Sequence, residues 1–291
     1  MPAGGRPTVR SRRLGAALRR YREMAKLDQE HAAEQIAGSK TKISRIKTGQ
    51  VSARPGDVRL MLELYGVEDR EVYRQLEQLA RDSNKRGWWL DYQTPSLTQL
   101  GDFISLEADS TYIRSWQPVF VPGVLQSPDY TRALIDANPS VFSAEAVEEI
   151  VQVRQERRKA IAETGSRFAA VIWEPALTSP MASPTTHREQ LALILAISEQ
   201  QNVTVQVLPH SEWAAARITN AFVTFAFDQR AAAEAVAFDS LSNTMILEGE
   251  DELSSYSNAF DSLRSAAMTP EQSRSFIKKT MSVIPEENEQ A

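Results

Sequence analysis

Residues 28–49 read DQEHAAEQIAGSKTKISRIKTG. Asp28 is a good N-cap, and a short helix from Gln29 to Ala37 is predicted after it. Gly38 breaks that helix. Ser39 caps another, Lys40 to Thr48, which Gly49 ends. Ala33 and Ile36 on the first helix, with Ile43 and Ile46 on the second, make one buried seam. Two short helices with a tight turn between them fit a helix-turn-helix. The second helix then exposes Lys40, Thr41, Lys42, Ser44, Arg45 and Lys47, donors of the kind that read base edges and phosphates. Gln29, at a helix start, is placed to meet a phosphate. The plainer alternative is a helical hairpin that only packs, with a solvated basic face.

The neighbouring sequence supports a small helical domain over residues 12–84. Leu14, Ala17, Leu18, Tyr21 and Ala25 recur at helical spacing between Arg12 and Leu27. Pro55-Gly-Asp opens a fourth helix carrying Val58, Leu60, Met61, Leu62 and Leu64, which Gly66 ends. Asp69 to Ser83 reads as a fifth, with Val72, Leu76 and Leu79 on one face. Residues 1–11 read as a flexible basic arm. Arg6 and Arg10 there, with Arg12 and Arg13 just after it, are candidates for phosphate or minor-groove contacts.

Residues 85–100 form an expected interdomain joint, with Trp88, Trp89 and Tyr92 as wedges between domains. Residues 101–283 mix both periods. Helices are predicted near 100–112, 127–137, 143–164, 185–201, 250–267 and 270–281. Strands are predicted near 113–120, 168–173, 203–208, 220–227, 234–239 and 244–248. The expected fold class is therefore α+β: an all-α N-terminal helix-turn-helix domain, then a mixed α/β domain. Residues 284–291 read as an acidic, disordered tail.

The 291 residues suffice for roughly two domains. With no cysteine, disulfides and Cys-based zinc sites are excluded. Three scattered histidines (His31, His187 and His210) do not suggest a metal site, and no cofactor is expected. The longest clean apolar run, Leu191 to Ile197, is too short to span a bilayer. The first residues carry charge without an apolar core, so no signal peptide is expected and the expected location is the cytoplasm. The net charge of -5 conceals an asymmetry. Residues 1–54 hold thirteen Lys/Arg against four Asp/Glu, a local +9, which leaves -14 on the remainder. A basic head on an acidic body points to a polyanion partner for the head alone.

Gln29-Glu30, Ala33, Ile36, Ile43-Ser44-Arg45-Ile46 and Gly49 resemble the helix-turn-helix of phage-repressor-type (XRE) regulators, over about residues 12–66. The resemblance implies Lys40, Thr41, Ser44 and Arg45 as base readers. It implies Gln29, Thr48, Gln50 and Arg54 as phosphate contacts, and Lys42 and Lys47 join them as basic candidates. Two departures stand out. Ala37 occupies the turn position where the family usually has Gly, so a recast turn is expected. Lys47 stands where the family often has a Glu able to pair with an arginine of the first helix, here Arg22. Lys47 is then expected either to face DNA or to leave the domain less stable.

LEADS from Leu106, VPGVLQSPDY from Val121, RQER from Arg154, WEPAL from Trp173, REQL from Arg188 and NVTVQVLP from Asn202 resemble the companion domain of WhiJ-like actinobacterial regulators. That resemblance implies transcriptional control of development or secondary metabolism, modulated by a small acidic partner protein. Some members are antitoxin-like. After Pro209 the group often has a Gly-containing segment, whereas this chain has His210-Ser211-Glu212-Trp213.

Pro122, Gln126 and Tyr130 are candidates to line an effector pocket, or else they only set a turn and helix start with Ser127-Pro128-Asp129. Arg154 and Arg157, beside Arg158 and Lys159, are candidates for an acidic partner or anionic ligand. The alternative is a solvated helix face paired with nearby glutamates. Trp213 completes the effector candidates. Glu174, Asp239 and Glu248, with His187 and His210, could supply acid/base groups, but no catalytic spacing supports an enzyme and none is expected. The expectation is a homodimeric regulator of double-stranded DNA reading an inverted repeat, tuned by a small molecule or a partner protein. The other reading is an antitoxin that mainly binds a cognate protein.

Overall fold

A computed structural model describes residues 8–83, 95–136, 142–217, 219–227, 234–239 and 244–285. Arg6, the Trp88, Trp89 and Tyr92 wedge, and the acidic tail from residue 286 lie outside the described residues. The chain divides into two compact units, Met1–Leu90 and Asp91–Ala291.

The described part of the first unit is helical: α1 (Val9–Met24), α2 (Gln29–Gln35), α3 (Lys40–Lys47), α4 (Pro55–Leu64) and α5 (Arg70–Asp82). α1 begins three residues before the expected Arg12, because Thr8 caps it: its hydroxyl oxygen accepts the Ser11 N–H at 3.1 Å. Arg10 is thus helical, and its Nη1 donates to the Asp82 carbonyl at 3.4 Å. The basic arm therefore ends earlier than expected.

Leu14, Leu18, Ala33, Ile36, Ile43, Ile46, Val58, Met61 and Leu62 form the core. Each large member stabilises the unit by roughly 1.5–3 kcal/mol through burial. Leu60, also carried by α4, is exposed, since it falls off the apolar stripe of that helix. Gly15 sets the approach of α1 to α3. A Cβ there would stand 2.3 Å from the Ile46 carbonyl oxygen and 2.6 Å from that of Lys47.

The second unit is a mixed α/β domain around one six-stranded sheet: β1 (Tyr112–Gln117), β2 (Arg167–Trp173), β3 (Val203–Leu208), β4 (Phe222–Ala226), β5 (Ala235–Asp239) and β6 (Thr244–Leu247). Their order is β3-β2-β1-β4-β5-β6. β1, β2 and β3 run parallel, with Ser115 opposite Ala170 and Ala170 opposite Val205. β4, β5 and β6 continue antiparallel. The parallel half needs helical crossovers. They are α7 (Pro128–Asp136) with α8 (Ala144–Thr164), and α9 (Glu174–Thr178) with α10 (Pro184–Ile197).

β1 stops at Gln117 rather than running to 120, since Pro118 carries no N–H for the ladder. α6 (Pro95–Asp109) packs against α8 and sets Phe103 edge-on to Phe225, at 5.3 Å between centroids. The other face is covered by α11 (Trp213–Ala216) and α12 (Glu250–Ala266), with Phe260 and Leu263 buried against Trp116, Val171 and Phe222. α13 (Pro270–Ser282) closes the β3 edge: Met268 donates its N–H to Val207 O, and Val207 donates its N–H to Ser273 Oγ, each at 2.9 Å.

Candidate nucleic-acid interface

The first unit presents α3 on a frame fixed by α1, α2 and α4. Asp28 caps α2, accepting the N–H groups of Glu30 at 2.7 Å and His31 at 3.1 Å. Those bonds, the His31 amide and ring first, hold the Asp28 carboxyl below its ordinary range. The turn is not recast around Gly38. Ala37 itself takes the left-handed conformation, at φ +48°, and the Gly38 N–H reaches Ala33 O at 2.8 Å. Ser39 then caps α3 by accepting the Lys42 N–H at 3.1 Å. Ser11 Oγ donates to Gly49 O at 2.8 Å inside the unit, tying α1 to the end of α3.

Ile43 and Ile46 point into the core, so the 3.6-residue period turns Thr41, Ser44 and Arg45 outward. Among the described residues, nothing hydrogen-bonds or pairs with these three side chains. Their donors are available to base edges and phosphates. Lys40 is also exposed, but its Nζ lies 2.8 Å from Glu30 Oε2, which raises its pKa.

The phosphate candidates divide. Gln50 and Arg54 are exposed, and Arg54 stands at the start of α4 without capping it. Lys42 is instead engaged inside the unit: its Nζ bonds Asp57 Oδ2 at 2.7 Å, linking α3 to the first turn of α4. Thr48 turns its hydroxyl back to Ser44 O and Arg45 O, each at 3.2 Å, and offers mainly lone pairs outward. Gln29 and Lys47 are half-buried and line a small cavity with Arg19, Arg22 and Tyr65. Arg22 does not depend on residue 47 for a partner. It donates Nη1 to Leu27 O and Nη2 to Glu23 Oε1 at 3.3 Å.

The effector candidates of the second unit are mostly interior. Pro122, Gln126 and Tyr130 are buried. Gln126 Nε2 donates to Val121 O at 2.7 Å, while its Oε1 accepts from Thr131 Oγ1 at 3.1 Å and from Arg154 Nη1. Gln190 holds the same loop from α10, accepting the Ser127 N–H and donating to Leu125 O, at 2.7 and 2.8 Å. This stretch acts as a clamped turn, with Ser127 Oγ receiving the Tyr130 N–H. Arg157 is no part of a solvated face. It is buried and donates twice to Glu107, at 2.7 and 2.9 Å. Sequence periodicity did not reveal that pair, because its members lie fifty residues apart. Trp213 alone of the set is exposed, with the Arg217 guanidinium 5.3 Å from its ring centre.

Of the acid/base candidates, Glu174 and His210 meet through the backbone, His187 lies in the interior, and the side chain of Asp239 lies outside the described residues. Glu174 Oε2 accepts the backbone N–H of His210 at 2.7 Å, and the His210 ring stacks on Trp173. His187 Nε2 faces Leu177 O at 2.8 Å in the interior. Among the described residues no His/Asp/Glu group could hold a metal ion, and no helix is long and apolar enough to cross a membrane.

A helix-turn-helix with an outward donor face is the mark of a DNA-binding regulator, and residues 13–76 match the family described as "Helix-turn-helix domain". Residues 100–279 match "Domain of unknown function (DUF5753)", and the chain belongs to that family. No curated protein and no solved structure matches it.

Proposed function

We propose that this DNA-binding regulator is a sequence-specific transcriptional repressor acting as a homodimer on an inverted repeat. Thr41, Ser44 and Arg45, presented outward without partners in the described chain, carry the reading. Lys40 joins them as a base reader when it leaves Glu30. Gln29, Lys47, Gln50 and Arg54 serve phosphates, and Thr48 joins them only when its hydroxyl leaves Ser44 O and Arg45 O to donate outward. One such head touches few base pairs, and two spaced by about 34 Å supply useful affinity. In this reading the DNA-binding domain spans residues 12–84 and a joint covers 85–100. Residues 101–283 then form the effector or partner domain.

The resemblance to WhiJ-like regulators supports control of development or secondary metabolism in an actinobacterial cytoplasm. A small acidic partner protein or a small molecule would modulate binding through the second unit. Exposed Trp213 and Arg217 are its best remaining surface residues, since Gln126, Arg154 and Arg157 are engaged internally and Tyr130 is buried.

The test is selection of bound DNA from a random pool by full-length protein at stated salt. Enrichment of an inverted repeat, lost on Arg45→Ala, is the expected outcome. Absence of any enriched sequence defeats the repressor reading. A stoichiometric partner recovered by pull-down in that case favours the antitoxin-like role.

A further inference from the structure

The six-stranded sheet has two edge strands, β3 and β6. At the β3 edge α13 supplies a partner, with Ser273 Oγ accepting the Val207 N–H. At the β6 edge, among the described residues, Met245, Ile246 and Leu247 make no hydrogen bond beyond the ladder to β5. Strand geometry turns the N–H and C=O of every second residue away from β5, so part of this backbone faces outward. Such an edge is a template for another strand. Lysine, proline and charge, which blunt an edge, are absent from residues 244–247, which read Thr-Met-Ile-Leu. Met245 is 55% exposed, an apolar side chain on the open strand.

We propose that β6 pairs antiparallel with β6 of a second copy of this chain, about a two-fold axis at Ile246, joining two sheets into one. Charge selects the direction. β6 is neutral and is followed by Glu248, Glu250, Asp251 and Glu252. A parallel pair would stack the two Glu248 carboxylates about 4.8 Å apart. The antiparallel pair sends the acidic ends to opposite sides of the dimer. With the axis at Ile246, the two Glu248 residues stand four positions apart, about 14 Å, beyond the ~8 Å screening length at physiological salt. Side-chain direction selects the register. An axis normal to the sheet keeps like faces together, so residues paired across it must share a face. Met245 and Leu247 stand opposite Phe238 and Val236, on the face that packs on α12, whereas Ile246 stands opposite Ala237 on the other. The axis at Ile246 then sets Met245 against the partner's Leu247 and Thr244 against the partner's Glu248. Exposed Met245 gains an apolar neighbour, and no like charges face each other. This deepens the homodimer reading above and rests on it only for the dimer's task on DNA.

The chain has no cysteine, so single introduced cysteines report the contact cleanly. In the full-length protein, Ile246→Cys should give a covalent dimer on mild oxidation. Met245→Cys mixed with Leu247→Cys should cross-link more than either variant alone. Met245→Lys places a cation at a position already exposed in one copy, and the two-fold axis counts the change twice. It should raise the dimer dissociation constant in sedimentation by roughly tenfold or more, with the thermal midpoint of the monomer unchanged. Met245→Leu should behave as wild type, which separates loss of pairing from loss of folding. A wild type that stays monomeric at every concentration overturns the pairing. So does a dimer that Met245→Lys leaves intact, or one in which Ile246→Cys fails to cross-link. Cross-linking strongest in Met245→Cys alone overturns the axis at Ile246. The DNA arm is separate. Met245→Lys should keep wild-type affinity for a single half-site and lose the gain on an inverted repeat. A cross-linked dimer that binds no duplex at all removes the DNA reading while the pairing stands.

Discussion

Arg157 on α8 reaches Glu107 on α6 with two charge-assisted hydrogen bonds, at 2.7 and 2.9 Å, inside the second unit. Its guanidinium also lies 4.9 Å from the centre of the Phe103 ring. Removal of one partner strands a buried charge. Glu107→Ala should therefore cost the second unit about 3–5 kcal/mol in urea unfolding. Replacing both residues by Leu should cost less than the single change. A single-variant loss under about 1 kcal/mol would mean water already reaches the pair.

Ala37 is a stability defect that one substitution can relieve. Its left-handed φ of +48° crowds the Cβ, and glycine has none. Ala37→Gly should stabilise the first unit by about 0.5–1 kcal/mol after the extra freedom of the unfolded chain is counted. The opposite exchange at Gly15 drives a methyl group into the backbone of α3. Gly15→Ala should destabilise by about 1–3 kcal/mol and weaken DNA binding by tilting α3. Denaturation curves of the two variants check both signs.

Arg45→Ala should cost roughly 1–3 kcal/mol of specific binding and relax preference at one base position. Equal losses on specific and random duplex would make Arg45 a phosphate contact. Lys42 should behave differently, because its ammonium is engaged with Asp57. Lys42→Gln should lower stability and leave the salt slope of DNA binding unchanged. Arg54→Gln should reduce that slope by about 0.9.

Alkaline pH should loosen both units. Burial raises the phenols of Tyr65 and Tyr130 from 10.0 to about 12. A raised folded pKa means that stability is intact below about 10 and declines as the pH rises towards about 12. Tyr65→Phe should flatten this decline in the first unit, and Tyr130→Phe in the second. Urea midpoints across that range measure it. Unchanged slopes in both variants would place the loss on other groups.

The elements were legible because periodicity and caps are local. Asp28 marked the start of α2, Ser39 and Gly49 marked the ends of α3, and the predicted strand near 203–208 is β3 itself. What the sequence hid was contact across distance. Nothing local to Gly15 signals its close approach to the backbone of Ile46 and Lys47. Gln126 read either as a pocket wall or as part of a turn, and its amide is consumed by Val121, Thr131 and Arg154. Lys42 and Arg45 are both cations of one short helix, and only the fold shows that Asp57 engages the first. Thr8 was the local signal that was missed: a cap hydroxyl three residues before Ser11 predicts the earlier helix start.

The division of labour on α3 bears on how such a protein diversifies. Ile43 and Ile46 face the core, whereas Thr41, Ser44 and Arg45 bond nothing in the described chain. On the proposed base-reading role, mutations at the second set change the operator while leaving foldability almost untouched. After gene duplication, a copy can drift to new target sites through these positions without first acquiring compensating changes in its scaffold.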